Sequence, residues 1–395
     1  MVVIDMKNFY SGIIPLLSIL SIYKSPLPQL DLGTLVAIGV FLVTILYVYK
    51  NRIRLTIGAT VPLFLLYIFF LMAMNLIEYN NIVDSEVFIF RNIKFILLIL
   101  GFYIIILANL VNFKRLMDIY VKIAVLSSIY IILQTCTYYI LGIELPNVLY
   151  GYTASDLYVE IDYASLLYRP SSFFLEPAHY FQYNLIPLIY LLFSRAREDR
   201  YSLTTILLGI ICSTSGQGYV ITMILLILYC IFNYALGLRT WVILLICGIF
   251  VLSGVGDVGF LKVDVLEKSI GRFIAEDGSL GEAWYGRTNA YEYLYDMDTT
   301  SVFFGNGLGN ITPGVYYSGI PYMINCIGIL GTSIFVLYII RMGMKGDKFT
   351  AILAFTYVGT LFIAQNFTAL LICLYFSIIT VAIGEGDTEH NFSID

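Results

Sequence analysis

Charged side chains are scarce in this sequence. They make up 12% of its 395 residues, against roughly 25% in an average soluble domain. Hydrophobic residues make up 59%, and the mean hydropathy is +0.86. So few polar side chains cannot cover an apolar core with a water-facing surface. The composition excludes an ordinary soluble protein and predicts a surface that faces lipid.

Other absences exclude further classes of protein. The formal net charge is −5, whereas nucleic-acid binding needs a basic surface, so no nucleic-acid partner is expected. The six cysteines form no CxxC pair, and there are only two histidines, so neither a metal site nor a disulfide framework is indicated. The first apolar run lacks a small-residue cleavage site, which predicts a membrane span or signal anchor rather than a cleavable signal peptide.

The form of the apolar runs predicts the fold class. Within lipid every backbone polar group must be satisfied internally, so the spans are helices or a closed barrel. A barrel would show short strands of alternating polarity. Here the runs are continuous, as in 97–110 and 220–231. We therefore expect an all-α, polytopic transmembrane helix bundle, with residues 1–395 forming one integral membrane domain.

We predict about twelve spans, with ten as the fallback. A span needs about 20 apolar residues, and shorter ones are tolerated inside a bundle. Short polar breaks, at 213–217 and at 365–366, divide two adjacent pairs of spans, and the fallback of ten merges each pair into one span. The predicted spans are 9–23, 32–49, 55–77, 90–110, 119–142, 177–194, 201–213, 217–236, 240–256, 320–340, 349–364 and 366–384.

The positions of the cations predict the orientation. Lysine and arginine concentrate in short cytoplasmic loops. With twelve spans, the cationic loops near residues 50–54, 114–122, 195–200, 239 and 341–348 all fall on one side. That side would be the cytoplasm. Two long acidic segments, 145–176 and 257–319, then lie on the outer face, and loops of such length are commonly functional.

A first group of candidate functional residues closes the first outer loop. It contains Arg169, Glu176, Pro177 and His179. Proline suits the first helical position, so Glu176 should be the N-cap, where the helix dipole favours its ionised form. A guanidinium, a carboxylate and an imidazole would converge at the membrane surface. A simple helix cap with an arginine reaching to the interface is the alternative interpretation.

A second group lies in the large outer loop. Arg287 could bind two phosphate oxygens, and Arg272 is a further candidate cation. A turn rich in glycine follows at 304–310 and is expected to expose backbone N–H groups. Chance occurrence of such residues in a long loop is the alternative. The aromatic residues on which sugar rings could lie are Trp284, Tyr285 and Tyr291.

A third feature is the Ser-Thr-Ser-Gly break at 213–216, where small residues could simply allow close helix packing. Three features together resemble the O-antigen and capsular polysaccharide repeat-unit polymerases, within the wider O-antigen polymerase/ligase family of integral membrane glycosyltransferases. They are Arg169 to Glu176-Pro177 with Ser-Ser-Phe-Phe between, the Ser-rich break, and Arg287 followed by the glycine turn. They occur in family order and cover roughly 169–340.

The resemblance implies a reaction on the outer face of the bacterial cytoplasmic membrane. The donor would be a glycan on undecaprenyl pyrophosphate, and the acceptor a repeat unit on a second carrier. Glu176 would be the base or orienting group, with His179 as the second candidate, while Arg169, Arg287 and Arg272 would bind pyrophosphate. Guanidinium groups would replace a metal, and no cofactor is expected. Membrane lipid, a chain-length regulator protein and a flippase are the implied partners.

Two other functions remain as alternatives. Ligases of the same family usually carry a histidine near the end of the large outer loop, where this sequence reads Pro321 to Asn325, so a ligase is less favoured. A transporter or flippase of lipid-linked oligosaccharides would need charged groups in mid-span, but those recognised here cluster at the outer rim.

Overall fold

A computed structural model gives the architecture of the chain. It describes residues 5–26, 30–55, 58, 60–77, 85–147, 168–194, 199–232, 290–310, 317–362, 364 and 367–391. Within these ranges the regular structure is helical, apart from one isolated bridge between Lys24 and Asp31. The expectation of an all-α fold is confirmed for this part of the chain.

Twelve helices lie within the described residues, and a further short helical stretch covers residues 290–296. They are α1 (Met6–Leu20), α2 (Leu32–Lys50), α3 (Thr60–Ile77), α4 (Ser85–Leu107), α5 (Phe113–Leu141), α6 (Pro177–Phe193), α7 (Arg200–Cys212), α8 (Gly216–Phe232), α9 (Thr299–Phe304), α10 (Gly319–Lys345), α11 (Lys348–Leu361) and α12 (Ala369–Asn391).

The helices coincide with the predicted spans, but fewer are long enough to cross a bilayer unaided. Eleven of the twelve predicted spans overlap a helix, and 240–256 lies outside the described residues. By length and apolar composition α2, α4, α5 and α10 can each span a membrane, and shorter apolar helices accompany them. The chain is therefore a helical membrane protein, while the count of twelve spans stays a prediction.

Aspartate side chains begin five of these helices. In each, the carboxylate accepts a backbone N–H of the first turn, over 2.7 to 3.1 Å. Such bonds satisfy amides that have no partner within the helix and contribute about 1 kcal/mol each. The capping residues are Asp5, Asp31, Asp199, Asp298 and Asp347. Several of the chain's few carboxylates thus have a structural use.

The chain divides into two compact units, Met1–Ile119 with Gly286–Asp395, and Tyr120–Tyr285. In the first unit α4 packs against α2, α3 and α12. Lys94 on α4 forms an ion pair of 3.1 Å with Asp31, the N-cap of α2. Between α1 and α2 the hydroxyls of Tyr10 and Thr44 share a hydrogen bond of 2.6 Å. Polar contacts therefore fix the pairing of otherwise apolar helices.

The second unit is built around α6. Fourteen of its 17 residues are buried, and it packs against α7 and α8. The Tyr180 hydroxyl lies 2.7 Å from the Ser128 hydroxyl on α5. A Cβ at Gly209 of α7 would stand only 2.3 Å from the same tyrosine oxygen. Glycine there lets α7 approach, and the start of α6 is thereby held by three neighbouring helices.

Candidate active site

The segment that precedes α6 has the predicted helix start. Glu176 is the N-cap residue, in an extended conformation with φ −138° and ψ 153°, and Pro177 occupies the first helical position. Proline's missing N–H costs nothing there, because the first amides have no partner within the helix. The carboxylate therefore stands at the positive end of the helix dipole, which favours a negative charge.

The Glu176 side chain does not cap the helix. It makes no capping hydrogen bond, in contrast to the five aspartates that begin other helices. Glu176 is half-buried and His179, one turn further on, is exposed. His179 follows Glu176 by three positions, in the first turn of α6, so the two side chains are neighbours on the helix. The carboxylate thus has a neighbour with which it could share acid–base work, and capping does not occupy it.

Two buried serines hold the chain just before this carboxylate. Ser171 Oγ donates to the carbonyl of Phe174 at 2.5 Å, and Ser172 Oγ donates to the carbonyl of Ser127 at 2.8 Å. Ser172 has a φ of 58°, in the left-handed region that side chains other than glycine rarely adopt. Strained backbone of this kind persists only where its surroundings impose it, and it is often found at functional sites.

Gln134 of α5 organises the same segment from the other side. Its Oε1 accepts the N–H of Ser172 at 2.9 Å, while its Nε2 donates to Asn147 Oδ1 at 3.0 Å. Asn147 Oδ1 also accepts the N–H of Ser171 at 3.4 Å. One amide side chain thus connects the two ends of the predicted first outer loop, although residues 148–167 between them lie outside the described part.

Stacked aromatic rings flank the segment. Phe173 stacks on Tyr130 with ring centroids 5.0 Å apart, and Tyr168 stacks on Tyr138 at 4.1 Å. Burial, with a smaller contribution from the charge of Glu144, raises the pKa of Tyr168 to about 12. The Tyr168 phenol therefore stays neutral at physiological pH. Arg169, next to it, is half-buried and in contact with neighbouring groups.

The Ser-rich break between α7 and α8 has a structural role. Ser213 Oγ donates to the carbonyl of Ile210 at 2.7 Å and so closes the end of α7. Ser215 Oγ accepts the N–H of Gly218 at 3.3 Å and so caps α8. Thr214 between them has a φ of 55°. These bonds account for the serines through helix termination and favour the packing interpretation over a role in binding.

The glycine turn at 304–310 is confirmed as a turn. The prediction that its backbone N–H groups are exposed is wrong for two residues, whose amides are hydrogen-bonded. The N–H of Asn306 donates to the carbonyl of Asn325 at 2.7 Å, and the N–H of Gly307 donates to that of Cys326 at 2.9 Å. Gly305 has a φ of 86°, and a Cβ there would stand 2.5 Å from the nitrogen of Gly328. These two amides complete a helix and are not available to a phosphate.

That helix is α10, which is interrupted at Gly328, where φ is 68° and ψ is 174°. The interruption leaves carbonyls without their usual partners four residues on. Besides the two that the glycine turn satisfies, the carbonyl of Ile327 accepts the Tyr67 hydroxyl at 2.9 Å. Irregular backbone inside a membrane protein is tolerated where other protein groups satisfy it, as they do here.

Arg91 of α4 is a candidate that the sequence argument overlooked. It is exposed, and its stem lies against the glycine turn, because a Cβ at Gly309 would stand 2.5 Å from Arg91 Cδ. Among the described residues no carboxylate pairs with it. An arginine within an apolar helix is costly and commonly functional, so its position in the sequence could have drawn attention to it.

The remaining predicted residues are only partly described. Tyr291 is 37% exposed and lies in the helical stretch 290–296 of the first unit. The cations Arg272 and Arg287 and the aromatics Trp284 and Tyr285 lie outside the described residues. The described residues contain no group of three or more His, Cys, Asp or Glu side chains that could hold a metal ion.

Comparison with protein-family models, with curated proteins and with solved structures finds no match in any of the three. The residues of the segment before α6 therefore carry the functional argument themselves.

Proposed function

We propose that the chain is a membrane glycosyltransferase that joins lipid-pyrophosphate-linked oligosaccharide units into a polysaccharide, on the outer face of the bacterial cytoplasmic membrane. The observation that carries the proposal is the placement of Glu176. Its carboxylate stands at a helix N-terminus without capping it, beside His179, after a segment that buried serines hold in a strained conformation. A group required only for helix formation would need none of this support.

The reaction assigns a role to each charged group. An acceptor hydroxyl gives its proton to Glu176 and attacks the anomeric carbon of the donor. The bond from that carbon to the pyrophosphate oxygen breaks, and the lipid pyrophosphate leaves with the bonding electrons. Direct displacement inverts the anomeric configuration. Arg169 and, from the sequence, Arg272 and Arg287 stabilise the charge of the leaving group. His179 is the second candidate for the base.

The surroundings suit a sugar as well as a charge. The stacked pairs of Phe173 with Tyr130 and of Tyr168 with Tyr138 offer flat aromatic edges and faces near Arg169. Tyr168 stays neutral, so it adds no negative charge to repel a pyrophosphate. These side chains were not among the aromatic candidates chosen from the sequence, which lie in the large outer loop.

An interrupted membrane helix such as α10 is also common in transporters, where freed carbonyls hold a coupling ion. Here the carbonyls of Asn325, Cys326 and Ile327 accept hydrogen bonds from the protein itself. They are thus engaged in completing the helix. This observation favours an enzyme over a transporter as the working proposal.

Glu176→Gln tests the proposal. The change keeps the size of the side chain and removes its charge, and loss of a general base costs about 10²–10⁴ in rate. We expect purified Glu176→Gln to insert and melt normally but to extend synthetic lipid-linked repeat units at least a hundredfold more slowly. Asp118→Asn, which removes an exposed carboxylate from α5, should keep the wild-type rate.

Turnover of Glu176→Gln within a few-fold of wild type would refute the assignment of the base and direct attention to His179→Gln. The lipid-linked products of a deletion strain test the reaction class. Single repeat units on the carrier indicate a lost polymerase, whereas full-length chains left on the carrier indicate a lost ligase. Unchanged carrier-linked glycans would contradict both.

A further inference from the structure

The first unit contains an apolar cleft between α3, α4, α10 and α12. Phe64, Phe102, Phe335 and Phe376 are among the side chains that line it, and its accessible lining is apolar throughout. The space in it that a ligand could occupy is about 40 Å³, far below the roughly 300–1,000 Å³ of ligand pockets, so an occupant would lie along a shallow groove and stay largely outside it. Apart from Thr60, Tyr338 and Cys373 the lining side chains are aliphatic or phenyl groups, so the cleft suits a hydrocarbon chain.

The cleft continues into a second recess that is cationic. Thr60, Ile334 and Tyr338 line both recesses, which makes them neighbours on the same surface. The second recess adds Arg341 and Lys345. Both cations are exposed, and they lie in the last two turns of α10. An apolar cleft therefore leads directly to a pair of positive charges.

The helix end and the concentration of cations in cytoplasmic loops explain the Arg341–Lys345 pair in part. Arg341 and Lys345 are four positions apart, so they share one face of α10 and repel each other by about 0.2–0.5 kcal/mol. In the described part of the chain neither lies within ion-pair distance of a carboxylate, and the ion pair found there is that of Lys94 with Asp31. The helix dipole favours a cation at this end, but it does not account for the adjoining cleft.

We propose that this composite recess, formed by the apolar cleft and the Arg341–Lys345 pair, binds an anionic phospholipid. Its phosphate lies between the two cations, and one acyl chain lies along the cleft. Leu337, which lines the cationic recess, is 66% exposed, and Ile334, which lines both, is 40% exposed, as expected of side chains that face lipid. Basic pockets between membrane helices bind lipid headgroups in this way.

The site stands independently of the proposed reaction, because it involves none of the residues placed in the candidate active site. The cationic loops of the sequence put Arg341 and Lys345 on the predicted cytoplasmic side, where anionic lipids are enriched. The lipid would bridge α3 and α10 and stabilise their packing.

The test measures thermal unfolding of the detergent-purified full chain with phosphatidylglycerol and with phosphatidylcholine of identical acyl chains. We expect a concentration-dependent rise in Tm with phosphatidylglycerol alone. Replacing both Arg341 and Lys345 by alanine should weaken the apparent affinity about 30-fold. The matched double replacement of Lys114 and Arg115, two exposed cations outside the recess, should leave the response unchanged.

Four results would overturn the proposal. They are equal stabilisation by the two lipids, an unchanged response in the Arg341 and Lys345 double variant, equal stabilisation by inorganic phosphate, and displacement by an isoprenoid phosphate at much lower concentration. A photoreactive phosphatidylglycerol with its diazirine in the acyl chain tests the wild-type protein, even if the double variant fails to fold. Crosslinks should fall on α3, α4, α10 or α12, which line the cleft, and crosslinks confined to other helices would exclude it.

Discussion

The backbone N–H of Ser172 donates to Gln134 Oε1 over 2.9 Å, across 38 positions of sequence. Both residues are fully buried. The bond supplies the partner that a buried amide requires, and it fixes the chain four residues before Glu176. The geometry of the candidate base therefore depends on a neutral side chain in a different helix.

Gln134→Leu should consequently impair both stability and turnover. Loss of the acceptor leaves the Ser172 amide buried without a partner, at a cost of roughly 1–3 kcal/mol. Thermal unfolding of the purified protein should show a lower Tm, and the polymerisation assay a lower rate. Thr137→Ala, on the same helix, removes a hydroxyl bonded only to its own helix and should change little. Equal Tm values for the two variants would contradict the role of Gln134.

The left-handed conformation of Ser172 predicts an unusual order of stability. Ser172→Gly and Ser172→Ala both lose the hydrogen bond to Ser127, but only glycine relieves a φ of 58°. Ser172→Gly should therefore be the more stable of the two by about 1 kcal/mol. Ser171, whose φ is not positive, should show the opposite order, because glycine is ordinarily less stable than alanine. Denaturant unfolding measures both pairs.

Gly305→Ala should disrupt the first unit. The new Cβ would stand 2.5 Å from the backbone nitrogen of Gly328, and the alanine would have to adopt a φ of 86°. The clash and the backbone strain together cost about 3 kcal/mol. Size-exclusion profiles should show less monodisperse protein. Gly359→Ala in α11 meets nothing within 4 Å and is the matched control. If both variants purified equally well, the turn would not be needed to complete α10.

The predicted orientation can be tested at the two ends of α5. In a background without native cysteines, an impermeant maleimide added to intact cells should label Glu144→Cys and not Lys114→Cys. Both positions are exposed. Permeabilised cells should label both, which controls for reactivity. Labelling of Lys114→Cys in intact cells would invert the predicted topology, and with it the assignment of the two long segments to the outer face.

Local chemistry made much of this architecture predictable. Pro177 marked the start of α6 to the residue, and the Ser-rich break separated α7 from α8, because proline and serine act on the backbone within a few positions. Continuous apolar runs located eleven of the predicted spans at helices. The same reasoning could not establish how many cross the membrane, since length and apolarity alone qualify four of the helices in the described part of the chain.

Long-range contacts account for what the sequence concealed. Nothing local pairs Gln134 with Ser172, and a single glycine inside an apolar run gave no sign that α10 is interrupted at Gly328. Arg91 was overlooked because its place beside the glycine turn depends on a contact with Gly309, more than 200 positions away in the sequence. Residues whose roles depend on distant partners therefore required the fold, whereas helix starts and breaks did not.

The interruption of α10 also bears on how the chain assembles during synthesis. The glycine turn, whose amides bond the freed carbonyls of α10, precedes α10 in the chain. Asn306 and Asn325 are only 19 positions apart. Closing so short a loop costs little conformational entropy. The hairpin of α9, the glycine turn and α10 can therefore form as soon as the last residue of α10 leaves the ribosome, before α11 and α12 have emerged. The carbonyls at the interruption of α10 would then have hydrogen-bond partners in the membrane before the remaining helices are inserted.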